Sequence, residues 1–348
     1  MRIAPRVVAA ICLGVLAPSA CTTAPSKGEH PPARTPPAAT APASSGAAAT
    51  PSEVSAVPSS GSTSTSSAAG VPASGPSSAE PCGWTNFPAH YSHVLWIWME
   101  NASYRTVMGN PQAPYENSLA RRCGLATDYH GVTHPSLPNY LAATGGSTFG
   151  VADDAGPRAH PIAGDSIFGQ VMRAGLAWRS YEESMPQPCD LNSSGRYAVK
   201  HNPAAYYTEL RSQCAADDVP LDPNLDADLA GGHLPAFAFV TPNLCHDMHD
   251  CSVRTGDGWL AARLPAILDS PQYRAGSLVV VLTFDEGEDS ANHVATIVIA
   301  PTIPVGTTVG ARLDHYALLR GTEELLGLAA LGAARRAPSL ARAFGLQP

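Results

Sequence analysis

The chain predicts an α/β sandwich of three layers, with a largely parallel central sheet between helices. Three observations lead there. Four short apolar runs, rich in β-branched and aromatic residues, read as buried strands: 93–99 (HVLWIWM), 236–241 (AFAFVT), 277–284 (SLVVVLTF) and 296–300 (TIVIA). Segments of helical periodicity lie between and around them, at about 115–123, 165–175, 203–213, 257–269 and 315–328. Such alternation is the pattern of strands joined by crossover helices. The third observation is chemical. The first strand runs into Glu100-Asn101, the second into PNLCHDMHD and the third into Asp285-Glu286-Gly287-Glu288. In a parallel sheet, ligands sit beyond the carboxyl ends of the strands, so clusters far apart in sequence would meet at one edge.

In chain order, the first segment reads as an export signal. Arg2 and Arg6 precede an apolar run from Val7 to Leu16, and small residues follow up to Cys21. The run is too short for a permanent membrane anchor. Cys21 followed by a Ser/Pro/Ala tether resembles a bacterial lipoprotein start, although Pro18 occupies a position where that signal usually carries Leu. Residues 22–81 hold no aromatic residue, and their larger apolar side chains are Val54, Val57 and Val71. A segment of that composition cannot bury enough surface to offset the entropy of ordering, so it reads as a disordered tether. The folded domain is expected over 82–348.

The 348 residues carry a formal net charge of −8. An acidic balance argues against a nucleic-acid partner, which would call for clustered Lys and Arg. It leaves room for a phosphorylated substrate, because a metal and local dipoles can hold phosphate in an acidic protein. Beyond Cys12 and Cys21, six cysteines remain: Cys82, Cys123, Cys189, Cys214, Cys245 and Cys251. In an oxidising compartment they suggest three disulfides among fifteen connectivities, of which the sequential set 82–123, 189–214 and 245–251 is the simplest. A zinc site built on Cys245, His246, His249 and Cys251 is the less favoured alternative.

Carboxylates gathered at one edge repel one another unless a cation or shared protons compensate. Glu100, Asp285 and Glu286, with the amide oxygen of Asn101, make an oxygen-rich set suited to a divalent metal such as Mg, Ca or Zn. His134-Pro135-Ser136-Leu137-Pro138-Asn139-Tyr140 supplies a nucleophile. Pro138 suits the first turn of a helix. Ser136 would then stand at its entrance, among free N–H groups and the positive end of the dipole. An isolated serine there is more often a cap. Beside a metal its hydroxyl becomes a nucleophile, and Ser136 joins the expected ligands. No G-x-S-x-G elbow surrounds it, which argues against a conventional serine hydrolase. Trp96, Trp98 and Trp178 follow element spacing and read as core. His130 and His134 read equally as hydrogen-bonders of the nucleophile loop or as site residues, and His246 as a surface residue.

The ordered set MENASY, THPSLPNYLAATGG, YAVKHNP, DMHD, FDEGE and DHYALLRGTEELLGL resembles the bacterial phosphoesterase family over roughly residues 93–330. That family holds secreted acid phosphatases and phospholipases C on an alkaline-phosphatase-like fold. Within it the chain is similar to secreted mycobacterial-type acid phosphatases, some of which act on phosphatidylinositol 3-phosphate. The resemblance implies that Glu100 and Asn101 contribute metal ligands, that Asp285 and Glu286 complete the site, and that Ser136 is transiently phosphorylated. It implies that Asn139 reaches a phosphoryl oxygen and that Lys200 and His201 contact phosphate. Asp247, His249, Asp250 and His315 would line the site, with a protonated His249 or His201 assisting the leaving group. Ala102 stands where phospholipase members commonly carry Arg or His, and His293 where related sequences vary, so substrate preference does not carry over. The expected activity is that of a secreted, metal-dependent phosphomonoesterase, monomeric, and held to a membrane only if Cys21 is lipidated. A phospholipase C-type phosphodiesterase and a non-catalytic anion-binding surface lipoprotein are the competing readings.

Overall fold

The computed structural model describes residues 80–85 and 90–347. The expected signal segment, Cys21 and all but the last residues of the expected tether lie outside the described residues.

Among the described residues nine strands form one sheet: β1 (His93–Met99), β2 (Gly124–His130), β3 (Trp178–Glu182), β4 (Asp218–Pro220), β5 (Phe237–Thr241), β6 (Leu278–Phe284), β7 (His293–Ile299), β8 (Thr308–Val309) and β9 (Leu313–Asp314). The order is β4-β3-β5-β1-β6-β7-β2-β8, with β9 also pairing β2. Only β7 runs against its neighbours; the other pairings are parallel. β1 lies at the centre, where every residue after His93 is buried, and β5 and β6 are buried throughout. Continuous apolar runs are what a strand covered on both faces requires.

The helices are α1 (Tyr104–Val107), α2 (Pro114–Arg122), α3 (Ser136–Gly145), α4 (Ile167–Arg173), α5 (Cys214–Asp217), α6 (Leu221–Gly231), α7 (Val253–Leu268), α8 (Pro271–Arg274), α9 (His315–Leu325) and α10 (Leu340–Ala343). Alternate side chains of a strand share a face. Trp96 and Trp98 share one, where Trp98 packs on Tyr140 of α3 and the Trp96 indole donates to Thr322 of α9 at 3.1 Å. Phe168 of α4 joins the same layer against Trp178 and Phe237. All ten residues of α3 are buried, and its polar Ser136, Asn139, Tyr140 and Thr144 are each hydrogen-bonded there.

The expected architecture is observed, with differences in detail. The helical pattern at 203–213 is not an α-helix but two 3₁₀ turns, Pro203–Tyr206 and Thr208–Leu210. Its backbone is drawn away to the preceding loop: Ile162 N–H donates to Tyr206 O at 2.9 Å and Thr208 N–H to Ile162 O at 2.8 Å. Those bonds replace the ladder an α-helix would need. The run at 296–300 begins earlier, as β7 from His293. Of the fifteen connectivities, the structure holds Cys82–Cys123, Cys189–Cys214 and Cys245–Cys251, so Cys245 and Cys251 are not zinc ligands.

Candidate active site

The sheet register assembles the site. β1 and β6 pair from His93↔Leu278 to Met99↔Phe284, so the next residues, Glu100 and Asp285, emerge side by side. Asp285 N–H donates to Met99 O at 3.0 Å, and Asn101 N–H to Asp285 Oδ1 at 3.0 Å. The 242–252 loop after β5 closes over the same edge, with Glu100 N–H donating to Asp247 O at 2.8 Å. β2, which the sequence reading did not mark, delivers the 131–135 loop and Ser136. Gly131 leaves no room for a side chain there: a Cβ would stand 2.7 Å from Asp285 O and 2.6 Å from Asn292 Oδ1.

Glu100 is the hub. Ser136 Oγ donates to its Oε2 at 3.0 Å, Tyr140 OH donates to its Oε1, and His201 Nε2 lies 3.2 Å from Oε2. Ser136 and Tyr140 are one helical turn apart on α3, which points both at one carboxylate. His201 Nδ1 lies 3.3 Å from Asp247 Oδ2. Both His201 contacts are ion pairs that fall short of hydrogen-bond geometry, and Nε2 and Asp247 Oδ2 are left without a hydrogen-bond partner, as is Asp285 Oδ2. Glu100, Asp247 and Asp285 are fully buried and Glu286 nearly so.

These groups perturb one another strongly. Burial, then the Glu100 and Glu286 charges, hold Asp285 well above the usual carboxylate range. Burial and the Glu100 charge push Glu286 up to about 8. Burial also raises Asp247, with Glu100 adding to it. Glu100 moves the other way: burial would raise it, but His201 and the hydrogen bonds around it outweigh that. Burial would lower His201, yet the Glu100 and Asp247 carboxylates lift it to about 10. A group of buried acids with unpaired oxygens is the environment that a divalent cation compensates. Among the described residues, Glu100, His201 and His249 offer ligand atoms all within 4.8 Å of one another. The expected oxygen set, Glu100, Asn101, Ser136, Asp285 and Glu286, shares Glu100 with that group.

The remaining expected residues fall around this centre. Lys200 Nζ lies 3.3 Å from His249 Nε2, while His249 Nδ1 meets Asp250 at 2.7 Å. His315 is buried behind Asp285, its Nε2 2.5 Å from Asp285 O, and burial lowers it to about 4. Asn139 is more occupied than expected. Its Oδ1 accepts from Val132 and Thr133 N–H at 2.8 and 3.0 Å, and its Nδ2 donates to Thr133 O, Pro135 O and Glu286 Oε2. With every donor and acceptor engaged, it holds the nucleophile loop and Glu286 rather than presenting an amide to substrate. His134 pairs with Glu286 at 3.0 Å, whereas His130 is taken up by Asp128 and Ala291 O outside this cluster. His246 is half-buried on Glu183, not a free surface group.

The sequence reading missed two residues. Tyr140 had a legible signal in its four-residue spacing from Ser136. Asp154 had none: Leu137 N–H donates to its Oδ1 at 3.0 Å and Lys200 Nζ to its Oδ2 at 3.0 Å, contacts that need the folded loop. Lys200, His249 and Asp154 open onto a cavity of about 500 Å³, which Asn192, Ser193 and Tyr197 also line.

The phosphoesterase family matches residues 93–329. The chain belongs to that family. Among relatives, it is 31% identical over 256 residues to the phosphatidylinositol-3-phosphatase of Mycobacterium tuberculosis, covering 73% of this chain and 83% of that protein. It is 28% identical over 256 residues to an acid phosphatase of Aspergillus fumigatus, covering 70% of this chain and 56% of the fungal one. Against the phosphate-repressible acid phosphatase of Penicillium chrysogenum it is 30% identical, covering 68% and 59%. The chain therefore spans less than two thirds of these fungal phosphoesterase relatives. Among solved structures, an alkaline-phosphatase-superfamily protein from Vibrio parahaemolyticus matches with a TM-score of 0.50 at 11% identity, covering 74% and 73%. The lipoteichoic acid synthase of Listeria monocytogenes matches with 0.50 at 11%, covering 70% and 74%. At that identity they establish the fold alone, which is alkaline-phosphatase-like.

Proposed function

We propose that this chain is a secreted, metal-dependent phosphomonoesterase that works through a phosphoserine on Ser136. The observation that carries the reading is the Ser136 hydroxyl at the entrance of the buried helix α3, hydrogen-bonded to Glu100 beside the unpaired oxygen of Asp285. Glu100, Asn101, Asp285 and Glu286, with Ser136, would hold the divalent cation. When bound, it supplies positive charge against the Ser136 oxygen and the phosphoryl group.

The chain's own groups do the rest. Ser136 Oγ attacks phosphorus in line, and its proton passes to the Glu100 oxygen that already accepts its hydrogen bond. The first-turn N–H groups of α3 and Lys200 hold the phosphoryl oxygens, a pre-set arrangement that needs no reorganisation during reaction. His201, kept protonated by its carboxylate neighbours, adds positive charge behind them. His249, at the cavity, donates a proton to the departing alcohol. Water then releases phosphate from Ser136. Asn139 and His315 fix the loops that carry Ser136 and Asp285.

The cavity beside Lys200 and His249 receives the alcohol portion of the substrate. Its size is that of a small-molecule site. The mycobacterial relative makes phosphatidylinositol 3-phosphate a substrate to test. Residues 1–21 direct export, 22–81 form a tether and 82–348 the catalytic domain; the disulfides support an extracytoplasmic setting. Among the described residues no helix is long and apolar enough to cross a membrane. A lipid on Cys21 would attach the chain to one. The protein acts as a monomer and binds no nucleic acid.

The test is phosphate release from p-nitrophenyl phosphate and from short-chain phosphatidylinositol 3-phosphate, with and without a chelator. Turnover is expected to need metal and to fall at least a thousandfold in Ser136→Ala, with an unchanged melting temperature. Diacylglycerol release from phosphatidylcholine, without phosphate release from monoesters, would replace this reading with the phosphodiesterase.

A further inference from the structure

The Asp154 carboxylate sits on two of the groups assigned above to the phosphoryl oxygens. One of its oxygens accepts from Leu137 N–H, a first-turn donor of α3 next to Ser136, and the other from Lys200 Nζ, each at 3.0 Å. A free N–H at the start of a helix has no partner within it, so an acceptor must come from elsewhere. Here the acceptor is an anion of the protein itself.

We propose that Asp154 is an internal anion that occupies the phosphoryl-binding corner of the resting enzyme, is displaced by substrate, and thereby sets the affinity for phosphate. The inference rests on the function proposed above. Two features carry it. The donors are shared: a phosphoryl oxygen on Leu137 N–H and Lys200 must take the places that the two carboxylate oxygens hold, and two anions cannot share them without repulsion. The exchange is also mechanically simple. The Asp154 side chain is 30% exposed and borders the cavity, so it has solvent to turn into. Its loop stays fixed beside it, with Tyr206 OH donating to Ala155 O at 3.2 Å and Asp153 accepting from Ala155 N–H at 2.9 Å. A side-chain rotation suffices. Without such a group, Lys200 and the helix entrance would hold the product phosphate as readily as the substrate, and release would slow.

The experiment compares wild type with Asp154→Asn and Asp154→Ala, all metal-loaded, checking the fold by melting temperature. It measures the inhibition constant of inorganic phosphate with p-nitrophenyl phosphate, and the phosphate dissociation constant directly by calorimetry. Both variants are expected to bind phosphate about tenfold more tightly, with a lower KM and a lower kcat. Asp153→Asn, adjacent in sequence but paired with His160, should change none of these. Phosphate affinity that is unchanged or weaker in both Asp154 variants would overturn the proposal and leave Asp154 as a group that merely orients Lys200. Since calorimetry reads phosphate without turnover, a wild type that binds phosphate but hydrolyses no monoester counts against the proposed function alone.

Discussion

Tyr140 and Ser136 share one carboxylate, and the consequence for each differs. In the mechanism proposed above, Ser136 gives up its hydrogen bond to Glu100 on reacting, whereas Tyr140 keeps its own. Tyr140 is buried, and burial followed by the Glu100 charge keeps its phenol protonated, so it is a permanent donor. Tyr140→Phe removes that donor without a cavity and leaves Glu100 Oε1 unsatisfied in the interior. The expected cost is about 1–3 kcal/mol of stability. A fall in kcat of about tenfold or more should accompany it, read against Tyr91→Phe, whose hydroxyl meets Thr302. Equal kcat in the two variants would show that Tyr140 does not position Glu100. The residue scale was partly legible in the sequence. Glu100, Asp285 and Glu286 could be placed because strands ending in acids must bring them to one edge. Asn139 could be found but its job could not, since its partners include Glu286 from a distant strand, and a lone asparagine does not announce which loop it will tie.

The elements were legible where burial was uniform. β1, β5 and β6 read clearly because both faces are covered. β2 and β3 did not, because buried polar residues such as Ser180 and Glu182 break the apolar run in WRSYE, and GLATDYH is interrupted by half-buried Thr127 and Asp128. α6 was hidden by its aspartates and by Pro223. At this scale α2 carries a pH test. Asp257 of α7 accepts from Tyr115 and Glu116 N–H at the start of α2, and the fully buried Glu116 carboxyl beside it has no hydrogen-bond partner. Burial, then the Asp257 charge, push Glu116 up to about 8. The folded state thus holds a proton that the unfolded chain releases near 4.5. The contribution to stability is intact below that pH and is lost as pH rises toward 8. Each unit of displacement is worth about 1.4 kcal/mol. Glu116→Gln should therefore melt with a shallower fall between pH 5 and 8, and parallel melting curves for variant and wild type would refute this. The loop after β5 offers a second test. Cys245–Cys251 encloses Asp247 and His249 in a short ring, so replacing both cysteines by serine should cost about 2 kcal/mol. Activity should fall with it, measured at a temperature where the variant is still folded.

For the whole molecule, a metal held by the cluster of buried acids would make folding and metal binding one equilibrium. A cation that binds only the folded state stabilises it by about 2.7 kcal/mol at a hundred times its dissociation constant. The melting temperature should climb with added divalent ion and drop with chelator. Asp285→Asn should flatten that response, whereas Glu116→Gln should leave it intact. Which ion gives the largest rise also discriminates between the two donor sets, since histidine nitrogens suit zinc and an all-oxygen set suits calcium or magnesium.

Two of the three disulfides border the cavity beside Lys200 and His249 rather than the core. Cys189–Cys214 pins the stretch that leads to Asn192 and Ser193, and Cys245–Cys251 the one that presents His249. In a reducing cytosol both frames would be open, while the sheet carrying Glu100 and Asp285 could still form. On the function proposed above, the chain would then be folded without its shaped cavity, and oxidation after export would supply it.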